Sequence, residues 1–407
     1  MRKLFSFIST GRTMAFLLGG MLLLPMLLSC DPDPVAPQPH DLPMSAAYVT
    51  DSVLYESNGM MAYNFVYPST DPFGHPIMLS GTITMGPEVH RSQPARGMML
   101  YNHFTVYRAD QCPSRGDLGV QQGVIGSGLI TVSADYYGFG VTEHHHQAYC
   151  ISAVNAQASI DALLAARRLL ADMGFAWDDV LFNAGYSQGG QTSMGVVRLV
   201  AQRYPDIDIT CTFAGAGSYD IPETYSDFLR SEVAGMPSTV ISVLLAYDEF
   251  FRLGVPHDEV FLEPVLSHLD EWIFSKRYTR EEIDERVGSL VVADYVTPTM
   301  LDIDSPLSQR FLEAMRTDNI CQGWTPRGNE RILLFHNETD ITVPVENTLN
   351  MYRFLIDNGV TDVTLDVADY GSSAAMPAHE TGAIFFLLTT IRTISDILGI
   401  EPWVPRA

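Results

Sequence analysis

Apolar residues recur along the chain in two rhythms. Short apolar-rich runs at Met61 to Tyr67 and Ile77 to Met85 flank the turn cluster Ser69-Thr70-Asp71-Pro72-Phe73-Gly74 and predict an antiparallel strand pair. Gly97 to Tyr101 and Leu129 to Ala134 read as the next two strands, with a long polar loop, Asn102 to Gly126, between them. Ile160, Leu163, Leu164 and Leu170 recur at helical spacing and predict a helix over Ala153 to Met173, stopped by Gly174. Val180 to Ala184 reads as a buried strand and Gln188 to Gln202 as a helix. Ile207 to Phe213 is a further strand. Strands alternating with helices imply a mostly parallel central sheet with helices on both faces. The alternation stops at Ser218. From there to residue 328 the pattern is helical, with segments at Ser238 to Leu253, Asp258 to Phe274 and Thr279 to Val287. It resumes with a strand at Ile332 to Phe335, a helix at Val345 to Asn358, a strand at Val363 to Val367 and a last helix at Thr381 to Leu398. The expected organisation is therefore an α/β core made of 46–217 and 329–407, interrupted by a helical cap at 218–328.

The N-terminal stretch follows a different logic. Arg2, Lys3 and Arg12 precede the apolar run Met14 to Leu28, which is short and contains Gly19, Gly20 and Pro25. This is the pattern of a secretory signal rather than a spanning helix. Leu27-Leu28-Ser29-Cys30 resembles a bacterial lipobox, so residues 1–29 are expected to be removed and Cys30 acylated. Residues 30–45, rich in Pro and Asp, then read as a stiff tether. The expected location is the bacterial cell envelope, lipid-anchored to a membrane through Cys30, on the periplasmic or cell-surface side of the outer membrane. No later stretch reads as long and apolar enough to span a bilayer.

Composition adds two constraints. The formal net charge is -24, and removing Arg2, Lys3 and Arg12 with the signal takes it to -27. So acidic a surface argues against nucleic acid and against anionic lipid as partners. Besides Cys30 the chain has four cysteines, Cys112, Cys150, Cys211 and Cys321. An even number in an exported chain suggests disulfides, with Cys112 to Cys150 the favoured pair because both lie in loops flanking the expected site. No C-x-x-C occurs, and the adjacent His144-His145-His146 cannot easily converge on one ion, so no metal is expected.

The candidate chemistry centres on Gly185-Tyr186-Ser187-Gln188-Gly189, a G-x-S-x-G stretch placed between a predicted strand and a predicted helix. That context puts Ser187 on a sharp bend with its hydroxyl exposed, above a helix N-terminus whose partial positive charge favours anionic species. A serine hydroxyl needs a base, and the base needs a third group to hold its tautomer. Asp340, just past the strand Ile332 to Phe335, is the expected acid, with Glu338 and Asp362 as rivals. His379, the only histidine after Asp340, is the expected base. An oxyanion hole needs two backbone N–H groups. Gln188 is expected to supply one, and Phe104 or Thr105, in the loop after the strand ending at Tyr101, the other. His103 reads as a structural histidine beneath the site.

With Gly185-Tyr186-Ser187-Gln188-Gly189-Gly190, Asp340 followed by Val343-Pro344, and His379 in that order, the chain resembles an α/β-hydrolase. Within that superfamily it is similar to the secretory lipase family. The similarity extends to Asp135-Tyr136-Tyr137-Gly138-Phe139-Gly140, to Ala156-Gln157-Ala158-Ser159-Ile160-Asp161-Ala162-Leu163 and to Trp324-Thr325-Pro326. The resemblance implies an α/β-hydrolase fold with an inserted helical cap. It also implies a serine carboxylic-ester hydrolase of lipase or esterase type, working through an acyl-enzyme on small-molecule or lipid esters without cofactor or metal. Such enzymes usually carry His-Gly after the oxyanion strand; here Phe104 follows His103, and its ring is expected to shape the site. A peptidase or acyltransferase using the same triad, and a non-catalytic surface-binding lipoprotein, are the alternative readings.

Overall fold

The computed structural model describes residues 43–55, 59–116 and 128–401. The signal segment, Cys30 and most of the tether expected before the fold lie outside the described residues. At the start of the described residues Met44–Ala46 form a 3₁₀ turn, and Met44 packs against the core.

Among the described residues there are nine strands: β1 (Tyr48–Tyr55), β2 (Met60–Thr70), β3 (Pro76–Met85), β4 (Met98–Asn102), β5 (Ile130–Ala134), β6 (Leu181–Tyr186), β7 (Cys211–Gly215), β8 (Arg331–Asn337) and β9 (Asp362–Ala368). They form one sheet in the order β1-β2-β3-β5-β4-β6-β7-β8-β9. β1, β2, β3 and β5 pair antiparallel in succession. From β5 to β9 every pairing is parallel. The result is the expected mostly parallel sheet flanked by helices, a topology whose sites lie beyond the strand C-termini.

The core helices are α1 (Ser152–Asp172) and α2 (Gln188–Arg203), then α7 (Glu346–Asp357) and α8 (Ala378–Leu398) near the C-terminus. α1 and α2 bury Ile160, Leu163, Val196 and Leu199 in the largest apolar cluster, together with Phe65, Leu100 and Val132 of the sheet. α8 covers the other face, where Phe386, Ile391 and Ile394 cluster with Phe182, Phe213 and Phe335. α8 also corrects one expectation, because its 21 residues are long and apolar enough to cross a membrane by length and composition. One side of it packs on the sheet; Ile384, Phe385 and Leu388 are exposed on the other.

Between β7 and β8 the described chain is helical: α3 (Ile221–Ser231), α4 (Pro237–Phe250), α5 (Arg280–Val287) and α6 (Pro306–Asp318), with short turns between. α5 starts with a capping box, in which the Thr279 side chain accepts from Glu282 N and the Glu282 carboxylate accepts from Thr279 N. The single helix expected over residues 258–274 is instead broken into His257–Val260, Val265–Leu269 and a π turn at Asp270–Phe274. Phe261 leaves the helix to bridge Val296, and Pro264 cannot continue the hydrogen-bond ladder. This insertion shares apolar packing with the core through Ile241, Leu244 and Tyr247. At its far end the buried Asp318 accepts from Ser152 N at 2.7 Å and Ser152 Oγ at 2.7 Å, capping the start of α1.

The expected Cys112 to Cys150 bridge is not formed. Cys112, Cys150, Cys211 and Cys321 are all free thiols. Cys112 packs with Val106 and Phe139, whereas Cys150 belongs to the large cluster under α4. Proximity to the same site does not bring the two sulfurs together.

Candidate active site

Ser187 sits between β6 and α2 with φ 58° and ψ -124°, a left-handed conformation that a residue other than glycine rarely adopts. The flanking glycines explain how the bend closes. A Cβ on Gly185 would lie 2.2 Å from Gly189 O, and one on Gly189 would lie 2.1 Å from Asn102 O. Ser187 N donates to Gly215 O at 2.9 Å, which ties the bend to β7. The hydroxyl therefore projects at the N-terminus of α2, where the helix dipole favours developing negative charge.

Three distant side chains converge there. His379 Nε2 lies 2.9 Å from Ser187 Oγ and accepts a hydrogen bond from it. His379 Nδ1 donates to Asp340 Oδ2 at 2.5 Å. The other carboxylate oxygen accepts from Thr342 N at 2.7 Å and Val343 N at 3.1 Å. Burial pushes the Asp340 carboxyl up, but the charge and hydrogen bond of His379, the charge of His336 and the Val343 N–H outweigh it and hold the group below its ordinary value. The last helix, expected from Thr381, begins at Ala378, so His379 lies in the first turn of α8. The rival Asp362 stands at the start of β9, at the opposite end of the strand from the site, and reaches toward Arg331 at 3.7 Å. Glu338 is exposed.

Several supporting groups carry no signal in a search for nucleophile, acid and base. Tyr186 donates to His379 O at 2.8 Å, and Asn337 Nδ2 donates to Ala378 O at 2.8 Å and Gly371 O at 3.1 Å. Together they fix the backbone that carries the imidazole. His336, fully buried, has Nε2 2.9 Å from Val343 O and 3.6 Å from Asp340 Oδ2, while Nδ1 meets Thr348 Oγ1 at 2.7 Å. Burial pulls its pKa below the ordinary value.

The oxyanion-side loop is equally braced. His103 is buried, stacks on Tyr136 with ring centres 4.0 Å apart, and donates from Nδ1 to Phe104 O at 2.7 Å. Thr105 Oγ1 meets the Tyr149 hydroxyl at 2.9 Å. Further along, Ser114 N and Oγ donate to Asp135 at 2.8 and 2.6 Å. Phe104 is 42% exposed and lines the cavity beside Ser187. The histidine run scatters: His145 stacks on Tyr137, and His146 stacks on Phe274 and pairs with Glu249.

Two cavities open on Ser187. A wide one of 340 Å³ is lined by Phe104, Thr105, Tyr186, His379 and the α8 residues Ala383 and Leu387, among others. A narrow one of 30 Å³ is lined by Gln188, Tyr149, Val343 and residues of α3 and α4.

The fold and this constellation define the class: an α/β-hydrolase with a serine, a histidine and a carboxylate in hydrogen-bonded series. Residues 117–387 match the model of the secretory lipase family, and the chain belongs to that family. Among solved structures it is similar to a protein of Legionella pneumophila, with 21% identity, 89% of this chain and 93% of that chain covered and a TM-score of 0.73. It is also similar to the rice cell wall degrading esterase LipA from Xanthomonas oryzae, at 18% identity, 86% and 96% coverage and a TM-score of 0.70. Candida antarctica lipase A in its closed state aligns at 16% identity, 91% and 89% coverage and a TM-score of 0.61. No curated protein matches the chain.

Proposed function

We propose that this member of the family is a serine carboxylic-ester hydrolase with Ser187 as nucleophile, His379 as general base and acid, and Asp340 as the group that orients the imidazole. The carrying observation is the unbroken series Ser187 Oγ, His379 Nε2 at 2.9 Å and His379 Nδ1 to Asp340 at 2.5 Å. In acylation the Ser187 Oγ–carbonyl bond forms as its proton passes to His379 Nε2. The tetrahedral oxyanion is held by the N–H of Gln188 and that of Phe104 or Thr105. Collapse breaks the bond to the alkoxy oxygen, which leaves as alcohol with the proton from Nε2. Water, deprotonated by the same nitrogen, then releases the acid.

The insertion between β7 and β8 supplies walls to both cavities and acts as the cap that selects the ester. The protein's setting is the cell envelope or beyond, in keeping with a secretory family, with Cys30 as the lipid attachment point. Ser187→Ala is expected to remove turnover of a p-nitrophenyl ester and labelling by a fluorophosphonate. Retention of most of the activity would refute the assignment.

A further inference from the structure

The two cavities meeting at Ser187 are unequal, and their position relative to His379 says which half of an ester each receives. The leaving oxygen takes its proton from His379 Nε2, so the alcohol half must start beside that nitrogen. His379 and its neighbour Glu380 line the wide cavity, and neither is among the residues that line the narrow one. Thr105 lines the wide cavity, Gln188 the narrow one and Ser187 both, so an ester carbonyl held at Ser187 stands where the two spaces meet and can send one substituent into each. The acyl substituent then enters the narrow cavity, closed in by Tyr149, Ile221, Val240, Leu244 and Val343.

Size converts this orientation into a substrate class. A protein cavity of about 150 Å³ takes up benzene. The narrow space, at 30 Å³, is a small fraction of that and suits an acetyl or propionyl group. The wide space, at 340 Å³, takes an aromatic or branched apolar alcohol with room left over. Arg280 also lines the wide cavity, but it is paired with Glu281 at 2.8 Å, Asp284 at 3.1 Å and Glu380 at 3.2 Å, so it offers no surplus positive charge to an anionic alcohol. We infer that the enzyme is selective for short-chain acyl esters of bulky, uncharged, apolar alcohols, with Ala383 and Leu387 of α8 setting alcohol size and Val240 and Leu244 of α4 setting acyl length. This rests on the ester-hydrolase reading above.

The test compares ethyl acetate, benzyl acetate and ethyl octanoate on the full chain by kcat/KM. Benzyl acetate should exceed ethyl acetate by about tenfold or more, and ethyl octanoate should fall below it by a similar factor. Ala383→Phe should lower the benzyl-to-ethyl ratio about tenfold, and Val240→Ala should raise the octanoate-to-acetate ratio. A wild type that prefers ethyl octanoate, with Ala383→Phe removing that preference, would put the acyl chain in the wide cavity and overturn the inference, as would equal rates on all three esters. Turnover of none of them would also overturn it. Fluorophosphonate labelling then separates the two failures: if Ser187 still labels, the serine-hydrolase reading stands and only the ester selectivity falls.

Discussion

The hydroxyl of Tyr186 donates to the backbone carbonyl of His379 at 2.8 Å, across 193 positions of sequence. The residue before Ser187, the proposed nucleophile, thereby holds His379, its proposed base, and the two rings lie 5.1 Å apart. Burial raises the Tyr186 hydroxyl well above its ordinary value, so it stays a protonated donor at any working pH. Tyr186→Phe keeps the ring packing and removes only this bond. It is expected to lower kcat about ten- to a hundredfold with little change in KM, because a small displacement of the imidazole spoils the attack geometry. Steady-state kinetics beside a thermal melt checks this; unchanged kcat would show that Asn337 suffices to place His379.

Asp340, as the proposed acid of the triad, is expected to couple activity to acid stability. Asp340→Asn is nearly isosteric but presents an N–H where an acceptor is needed, so the imidazole is held in the wrong tautomer. A fall in kcat of about four orders of magnitude is expected. Because the folded carboxyl is held below its ordinary value, the unfolded chain takes up the proton first as pH falls. The stabilisation is therefore complete above about pH 5 and disappears as pH drops through the folded value. The gap in urea midpoint between wild type and Asp340→Asn should narrow from pH 7 to pH 3. A gap constant over that range would mean that the carboxylate contributes nothing through its charge.

The parts of this molecule that announce themselves in sequence are those built from long apolar periodicity or from a constrained bend. The inner strands β4 to β7 are buried throughout and read as apolar-rich runs, and the G-x-S-x-G bend is legible because only glycine fits where Gly189 meets Asn102 O. β1 escapes notice because it is an edge strand with no buried position and so no apolar run. β8 continues two residues past its apolar stretch, where His336 and Asn337 pair with Val367 and Ala368 of β9. Those two are polar, but both are buried with their hydrogen bonds met, which no periodicity reveals. α3 and α6 each place a proline in the first turn, where it fits a helix start, yet in sequence it reads as a breaker. That Ser187, Asp340 and His379 would meet was legible in their chain order, because fold topology brings the C-terminal ends of the parallel strands together. The groups that steady them, Tyr186 and Asn337, act through backbone carbonyls and leave no pattern.

Lys276 fastens the insertion to the core. Its buried ammonium donates to three carbonyls, those of Gly138, His145 and Glu143, the last at 2.7 Å. Its own carbonyl accepts from Ala109 N at 2.9 Å, in the stretch that follows Thr105. Lys276→Met fills similar space but leaves three acceptors in a site too closed for easy hydration. A loss of roughly 2–4 kcal/mol is expected, read as a lower urea midpoint. Lys276→Arg should not restore it, since a planar fork cannot point three donors as an ammonium does. A midpoint equal to wild type would show that water replaces the ammonium at no cost.

The thiols give a direct check on how the loops around the site are held. Cys112 and Cys150 are both buried, and burial pushes each thiol up to about 12, far from the reactive thiolate range. Cys211 is buried at the start of β7 and is likewise pushed up to about 12, while Cys321 is partly exposed. In a Cys30→Ala chain without reductant, an aromatic disulfide reagent should therefore find at most Cys321 while the protein is folded, and four thiols once it is denatured. If Cys112 and Cys150 were bridged, denaturation would expose two thiols rather than four, and reductant would add the missing pair. Double replacement of Cys112 and Cys150 by alanine should then shift stability only by the lost side-chain volume, about 1 kcal/mol per site for a small buried group. A native disulfide would make that same double variant lose about 2–5 kcal/mol, so the melting curve and the thiol count test the free-thiol structure independently.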